Sequence, residues 1–303
     1  MNDGPVWDDG TWQPLPSLAG DLDADVCVIG LGGSGLAAVG ELLALGQRVV
    51  GLDAVSVGGG AAGRNGGFLL AGLPSFYHRA VAAIGRDRAR EIYRLTMTEL
   101  DRMTAETPEA IRRVGSLRIA ADDAERADCA TQIAAMRADG FPAKAYDGVE
   151  GQGVLVPTDG AFNPLHRCRL LAIAAREAGA RLFENSPATS FTGQSVVTPQ
   201  GVVSCRRVIV AVDGRLEQVV PELAPRTRTA RLQMIATAPD PRVSFPRPVY
   251  YRWGYEYWQQ LPDRRIALGG LRDRAGDGEW TDQAAVTDQV QHGLEMILRD
   301  RLH

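Results

Sequence analysis

The 303-residue sequence has no excess of positive charge. Its formal net charge is -4 and its isoelectric point about 5.7, so no basic face for nucleic acid is implied. Long apolar runs are also missing: the uncharged apolar stretches are far too short to cross a bilayer. The first residues, MNDGPVWDDGTW, are acidic and polar and do not read as a secretory leader, so the cytoplasm is the expected compartment. Cysteine is scarce. Cys27, Cys129, Cys168 and Cys205 share no metal-ligand spacing and suggest no disulfide framework. Cys27 falls in a strand and Cys168 on the apolar face of a helix, where both read as small buried hydrophobes. His78, His166, His292 and His303 are scattered, so no metal site is assigned. Neither a Ser-His-Asp set nor a carboxylate pair is found. Against these absences, 45% apolar and 23% charged residues are ordinary for a globular protein, and the length allows two cored domains or one large α/β unit.

The stretch Ala24 to Asp53 carries the strongest pattern. An apolar run, Val26 to Ile29, meets glycines at Gly30, Gly32 and Gly35, spaced as G-x-G-x-x-G. A helical pattern follows over Leu36 to Leu45 and closes at Gly46. A second apolar run, Val49 to Leu52, ends in Asp53. Strand, tight turn, helix, strand and acid together are the context in which this fingerprint predicts dinucleotide binding. Gly30 permits the turn, Gly32 lets a pyrophosphate approach the backbone, and Gly35 lets helix and strand pack closely. Gly33 and Ser34 complete the turn, whose helix N-terminus offers unpaired N–H groups to phosphate. Asp53, followed by Ala54, can accept from ribose hydroxyls. A second glycine loop, VSVGGGAAGRNGGFLLAG, comes next. Ordering so many glycines costs conformational entropy, which suits a backbone that must touch a flat or bulky group.

On VIGLGGSG, Asp53 and above all GRNGGF at Gly63 to Phe68, the sequence resembles the FAD-dependent amino acid and amine oxidoreductases of the D-amino acid oxidase type, which include glycine oxidase and gamma-glutamylputrescine oxidase. The resemblance implies FAD as cofactor and places Gly63, Arg64, Asn65, Gly66 and Gly67 near the flavin, with Arg64 and Asn65 beside its ring. A plain NAD dehydrogenase has no use for the second loop. It further implies that Ala188 lies by the adenine and Gly214 near the dinucleotide. The implied reaction is oxidation of a C–N bond in an amine or amino acid, with hydride passing to flavin N5. The imine is then hydrolysed and electrons leave to oxygen or another acceptor. Family members continue past the point where this sequence stops, with a further strand, turn and helix. The alternatives are therefore a truncated, inactive flavoprotein fragment or a nucleotide-binding support chain.

The expected fold is α/β: a Rossmann-like FAD-binding domain (24–75 and 158–225) and an α+β substrate domain on an antiparallel sheet (76–157 and 226–280). Both are discontinuous. Residues 1–23 read as an extended lead segment anchored by Trp7 and Trp12, without strand periodicity. Residues 281–303 read as a helix with Val286, Val290, Leu294 and Ile297 on one face. A helix over 87–106 is expected, with Asp87 as N-cap and Ile92, Leu95, Leu100 and Met103 along its stripe. Another begins at Asn163-Pro164. Tyr250, Tyr251, Arg252, Tyr255, Tyr257 and Trp258 cluster, and strand alternation sends some to each face. Tyr251, Arg252 and Tyr257 are candidates for substrate contact, Arg252 as a carboxylate ligand with a part in catalysis. Amino-acid-specific relatives often carry an arginine just before a D-G-R segment. Leu261-Pro262 holds that place here, so an amine without an α-carboxylate stays open.

Overall fold

The structure, a computed structural model, describes residues 4–302. Residues 1–3 and 303, at the ends of the expected lead segment and terminal helix, lie outside the described residues. The chain divides into two units. One comprises 1–65, 163–231 and 280–283; the other comprises 66–162, 232–279 and 284–303. The first division thus falls at Asn65, inside the second glycine loop, rather than at residue 75.

In the first unit, four short strands form a parallel sheet in the order Arg181–Phe183, Val49–Leu52, Val26–Ile29, Arg207–Val210. All four residues of Val26–Ile29 and of Val49–Leu52 are buried, as a parallel sheet covered on both faces requires. The helix Gly33–Ala44 packs with the helix Pro164–Glu177 on one face. Leu36, Val39, Cys168, Ala172 and Ala175 join Val26 and Val28 in that core. Asn163 caps the second helix, accepting from His166 N at 2.9 Å ahead of Pro164, as the sequence predicts. A smaller sheet carries the hairpin Ser195–Thr198 and Gly201–Ser204, closed by Pro199-Gln200. The lead segment departs from expectation: Leu22–Asp23 is a strand, pairing in parallel with Val203 and Ser204. Leu15 and Leu18 are buried, and both tryptophan N–H groups are bonded, Trp7 to the Asn65 carbonyl and Trp12 to Glu184.

The second unit is built on a seven-stranded sheet. Its order is Met234–Ala236, Ile266–Gly270, Glu256–Gln260, Val249–Tyr251, Ser116–Ile119, Gly151–Val156, Lys144–Gly148. Every pairing is antiparallel except that between Val249–Tyr251 and Ser116–Ile119. One face packs Leu117, Ile119, Val249, Tyr251, Trp258 and Leu268 against Val290 and Leu294 of the helix Asp288–Ile297. That helix starts later than expected, leaving Val286 exposed ahead of it. The long helix Arg86–Glu106 is also turned relative to the expected stripe. Gly85 is its N-cap, Ala89, Tyr93 and Leu100 are buried, and Leu95 is exposed. Tyr93 decides that orientation, since its ring lies 4.4 Å from Phe141 and 5.5 Å from Tyr77.

Candidate functional site

In the first unit the site grows from the end of Val26–Ile29. Gly30 has φ +102, and a Cβ there would come within 2.6 Å of the Ala211 carbonyl oxygen. A Cβ on Gly35 would sit 1.9 Å from the Gly30 carbonyl oxygen. Only glycine allows this turn and this approach of helix to strand. Gly32 is the N-cap of the helix and no side chain caps it. Among the described residues the N–H groups of Gly33, Ser34 and Gly35 have no acceptor, the first intrahelical bond being Leu36 N to Gly32 O. A Cβ on Gly33 would meet nothing within 4 Å, so open space lies over this first turn. Unpaired donors, a positive helix end and free space together fit an anionic phosphate group.

Asp53, at the end of the next strand, closes the turn. One carboxylate oxygen accepts from Leu31 N at 2.7 Å and the other from Val55 N at 3.0 Å. Burial holds the Asp53 carboxyl above the usual carboxylate range against the pull of the Val55, Leu31 and Ala54 amides, and the Glu184 charge adds to the rise. A carboxylate offers about four acceptor sites, so Asp53 retains capacity for a hydroxyl donor.

Glu184 was not singled out from sequence. It is fully buried and gathers three segments: it accepts from Trp12 Nε1 at 2.9 Å, Leu15 N at 2.7 Å and Val57 N at 2.6 Å. The lead segment and the start of the second glycine loop are thereby tied to the strand end beside Asp53. Ala188 packs at the edge of the core containing Ile29 and Leu52. Gly214 has no special backbone geometry, and a Cβ there would only touch Thr229 at 3.7 Å.

The second loop folds as a 3₁₀ turn, Ala61–Gly63, again without a side-chain N-cap. Gly63 is buried, with room only for hydrogen beside the Gly58 carbonyl. Arg64 and Asn65 are exposed, and their side chains turn back on the loop. Arg64 Nε donates to Gly59 O at 3.1 Å and Asn65 Nδ2 to Ala62 O at 2.7 Å.

In the second unit, Gln259 secures the rest of this loop, its amide Nε2 donating to Gly67 O at 2.8 Å and also to Gly66 O. Strand register sorts the aromatic cluster. Tyr257, Tyr250 and Arg118 are paired in one row across three strands and share a face. Phe68 stacks on Tyr250 with centroids 4.8 Å apart and meets Tyr257 edge-on at 5.7 Å. The Tyr257 ring lies over Gly269, where any Cβ would collide with it. Burial raises both phenols, Tyr257 to about 12.

The expectation changes for Tyr251 and Arg252. Tyr251 belongs to the opposite, core-facing side of the sheet, and its hydroxyl accepts from Arg301. Arg252 pairs with Asp273 at 2.8 Å and with the buried Glu256, and these bonds raise its pKa further. Two carboxylates already take both forks of the guanidinium, so it is placed as a structural ion pair rather than as a ligand for substrate. The signal missed in the sequence was Arg118: alternation with Leu117 and Ile119 was enough to put it on the other face.

Residues 25–302 match the profile of the family described as DAO, FAD dependent oxidoreductase. The chain belongs to this family. The DAO family is FAD dependent. The chain is 29% identical over 253 residues to the gamma-glutamylputrescine oxidoreductase of Escherichia coli, covering 75% of this chain and 58% of that protein. It is 26% identical over 227 residues to a probable oxidoreductase, OrdL, of Haemophilus influenzae, covering 67% and 52%. It therefore spans somewhat over half the length of these curated relatives. Its fold is that of the L-proline dehydrogenase from P. horikoshii, with a TM-score of 0.69 at 20% identity, covering 95% of this chain and 78% of that one. Among the described residues no helix is long and apolar enough to cross a membrane, and no cluster of three His, Cys, Asp or Glu could hold a metal.

Proposed function

We propose that this DAO-family chain oxidises the C–N bond of a small amine or amino acid, with FAD as its cofactor. The observation that carries the reading is the uncapped helix N-terminus above a Cβ-free turn, with Asp53 held against it. When bound, FAD supplies the hydride acceptor: the substrate loses a hydride and a proton to become an imine, which water hydrolyses to a carbonyl compound and ammonia or an amine. The protein's part is binding and orientation. The amides of Gly33, Ser34 and Gly35, with Gly30 and Gly32 shaping the turn, hold pyrophosphate; Asp53 and Ala54 take ribose, and Ala188 takes adenine. Gly63, Arg64, Asn65, Gly66 and Gly67 form the loop against the flavin, with Gly214 alongside. Tyr257 serves the substrate from its half-buried wall. Oxygen or another acceptor regenerates the cofactor. The setting we propose is the cytoplasm, where four buried free thiols suit a reducing compartment.

The test is the visible spectrum of the purified chain with FAD, before and after anaerobic addition of an amine and amino acid panel. A bound-flavin band that bleaches supports the reading. A folded, homogeneous protein that cannot be loaded with FAD would refute it and leave the support-chain alternative.

A further inference from the structure

We propose that Trp7 is a positioning residue for the cofactor: the lead segment is a strap that fixes the second glycine loop and thereby slows the release of FAD. This rests on the oxidoreductase reading above, in which Gly63 to Gly67 lie against the flavin. The loop needs a hold from outside. Six of the ten residues from Gly58 to Gly67 are glycine, so ordering it costs conformational entropy. Arg64 Nε bonds to Gly59 O and Asn65 Nδ2 to Ala62 O, bonds within the loop that shape it. Its start is tied down by Gly58 N, which donates to Leu31 O at 3.1 Å, and by Val57 N, which donates to Glu184. At its other end the Asn65 carbonyl accepts from Trp7 Nε1 at 3.0 Å, 58 positions away in sequence.

Trp7 is itself held in place. It is buried, and its carbonyl accepts from Asn163 Nδ2 at 3.2 Å, the cap of the helix Pro164–Glu177. The next residue, Asp8, accepts from both ends of the Arg169 guanidinium, at 2.7 and 3.1 Å. Arg169 lies in the second turn of that helix and is itself buried. Its guanidinium is 5.6 Å from the ring centroid of Trp12, whose N–H is bonded to Glu184. A bidentate pair of this kind holds more firmly than an open surface ion pair. A rigid helix thus fixes the strap at Trp7 and Asp8, and the strap presents one N–H to the loop. The simpler reading makes Trp7 an apolar cover for the core. That reading asks nothing of the indole N–H, and a phenyl ring would cover as well. FAD can leave, and a protease can enter, only while the loop is open, so both rates follow the population of the open loop.

Two variants of the full chain test this. Trp7→Phe keeps an apolar ring and removes the N–H; Asp8→Asn weakens the hold of Arg169 without touching the loop. Trypsin cleavage after the exposed Arg64 reads loop opening in the FAD-free protein. Cleavage after the exposed Arg206, elsewhere on the first unit, is the reference. Timed ultrafiltration after dilution reads the release of FAD from the loaded protein. Trp7→Phe should raise cleavage at Arg64 and FAD release together, by roughly twofold to tenfold, the net weight of one hydrogen bond. Asp8→Asn should move both in the same direction, and cleavage at Arg206 should stay as in wild type. Wild-type rates at Arg64 in both variants overturn the proposal. An equal rise at Arg206 also overturns it, since the whole unit has then loosened. Faster cleavage at Arg64 with unchanged FAD release overturns the role toward the cofactor. Wild type that takes up no FAD defeats the oxidoreductase reading instead, and the cleavage ratio then decides by itself whether Trp7 fixes the loop.

Discussion

Replacing Glu184 by alanine removes the acceptor for three N–H groups at once: the Trp12 indole, Leu15 N and Val57 N. Each donor left unsatisfied in a buried place costs about 1–3 kcal/mol. Water entering the space restores part of that, so a total of about 4 kcal/mol is expected for Glu184→Ala. Glutamine keeps the shape but offers a single oxygen. If that oxygen serves Trp12 and Val57, the amide nitrogen faces Leu15 N, donor against donor, and about 2 kcal/mol is lost. At roughly 2–4 °C per kcal/mol, the melting temperature should fall by roughly 8–16 °C for alanine and roughly 4–8 °C for glutamine. Thermal melts followed by circular dichroism measure both, and Trp12 emission should shift red as its anchor is lost. Two variants melting indistinguishably from wild type would refute the claim that this carboxylate holds the lead segment and the loop, since even a single unsatisfied donor should lower the melting temperature by roughly 2 °C or more.

Other outcomes follow from the same structure. Gly35→Ala should fail to fold stably, because its Cβ would lie 1.9 Å from a backbone oxygen, whereas Gly33→Ala, in open space, should melt close to wild type; paired melts decide it. Arg252→Ala should cost about 3–5 kcal/mol by stranding buried Glu256 without its partner, read as a loss of denaturant midpoint, while a ligand role would show mainly in substrate binding. Burial raises the Asp159 carboxyl from 3.8 to about 6, so the folded state holds a proton that the unfolded state has released. Stability therefore falls as pH rises from about 4 to 6, by up to about 3 kcal/mol, and urea titrations of Asp159→Asn should show a flatter pH profile over that window. The four cysteines are buried, with Cys27 and Cys129 raised to about 12 and Cys168 to about 11, so a disulfide reagent should label the native protein slowly and four thiols only after denaturation.

What was legible in the sequence was local. The turn at Gly30 to Gly35 is written in adjacent glycines because its constraints, a positive φ and a carbonyl at contact distance, act within a few residues. The cap at Asn163 is equally short-range, reaching only His166. What escaped depends on partners far along the chain. Glu184 looks like an ordinary strand-end acid until Trp12, Leu15 and Val57 arrive from more than a hundred residues away. Leu95 looked like core, but Tyr93 meets Phe141 and rolls the helix instead. Arg252 stood out among aromatics, and its second carboxylate, Asp273, lies 21 residues on. For Arg118, alternation was visible, but that Tyr250 and Tyr257 fall in its row is fixed only by strand register.

The parallel sheet of the first unit also sets a timetable for biosynthesis. Val26–Ile29 takes one neighbour from Val49–Leu52 early, but its other neighbour, Arg207–Val210, emerges 178 residues after Ile29 (207 minus 29). At a ribosomal pace of about 5–20 residues per second, that interval lasts roughly 9–36 s. During it an apolar strand has an open edge, the condition under which nascent chains associate with one another.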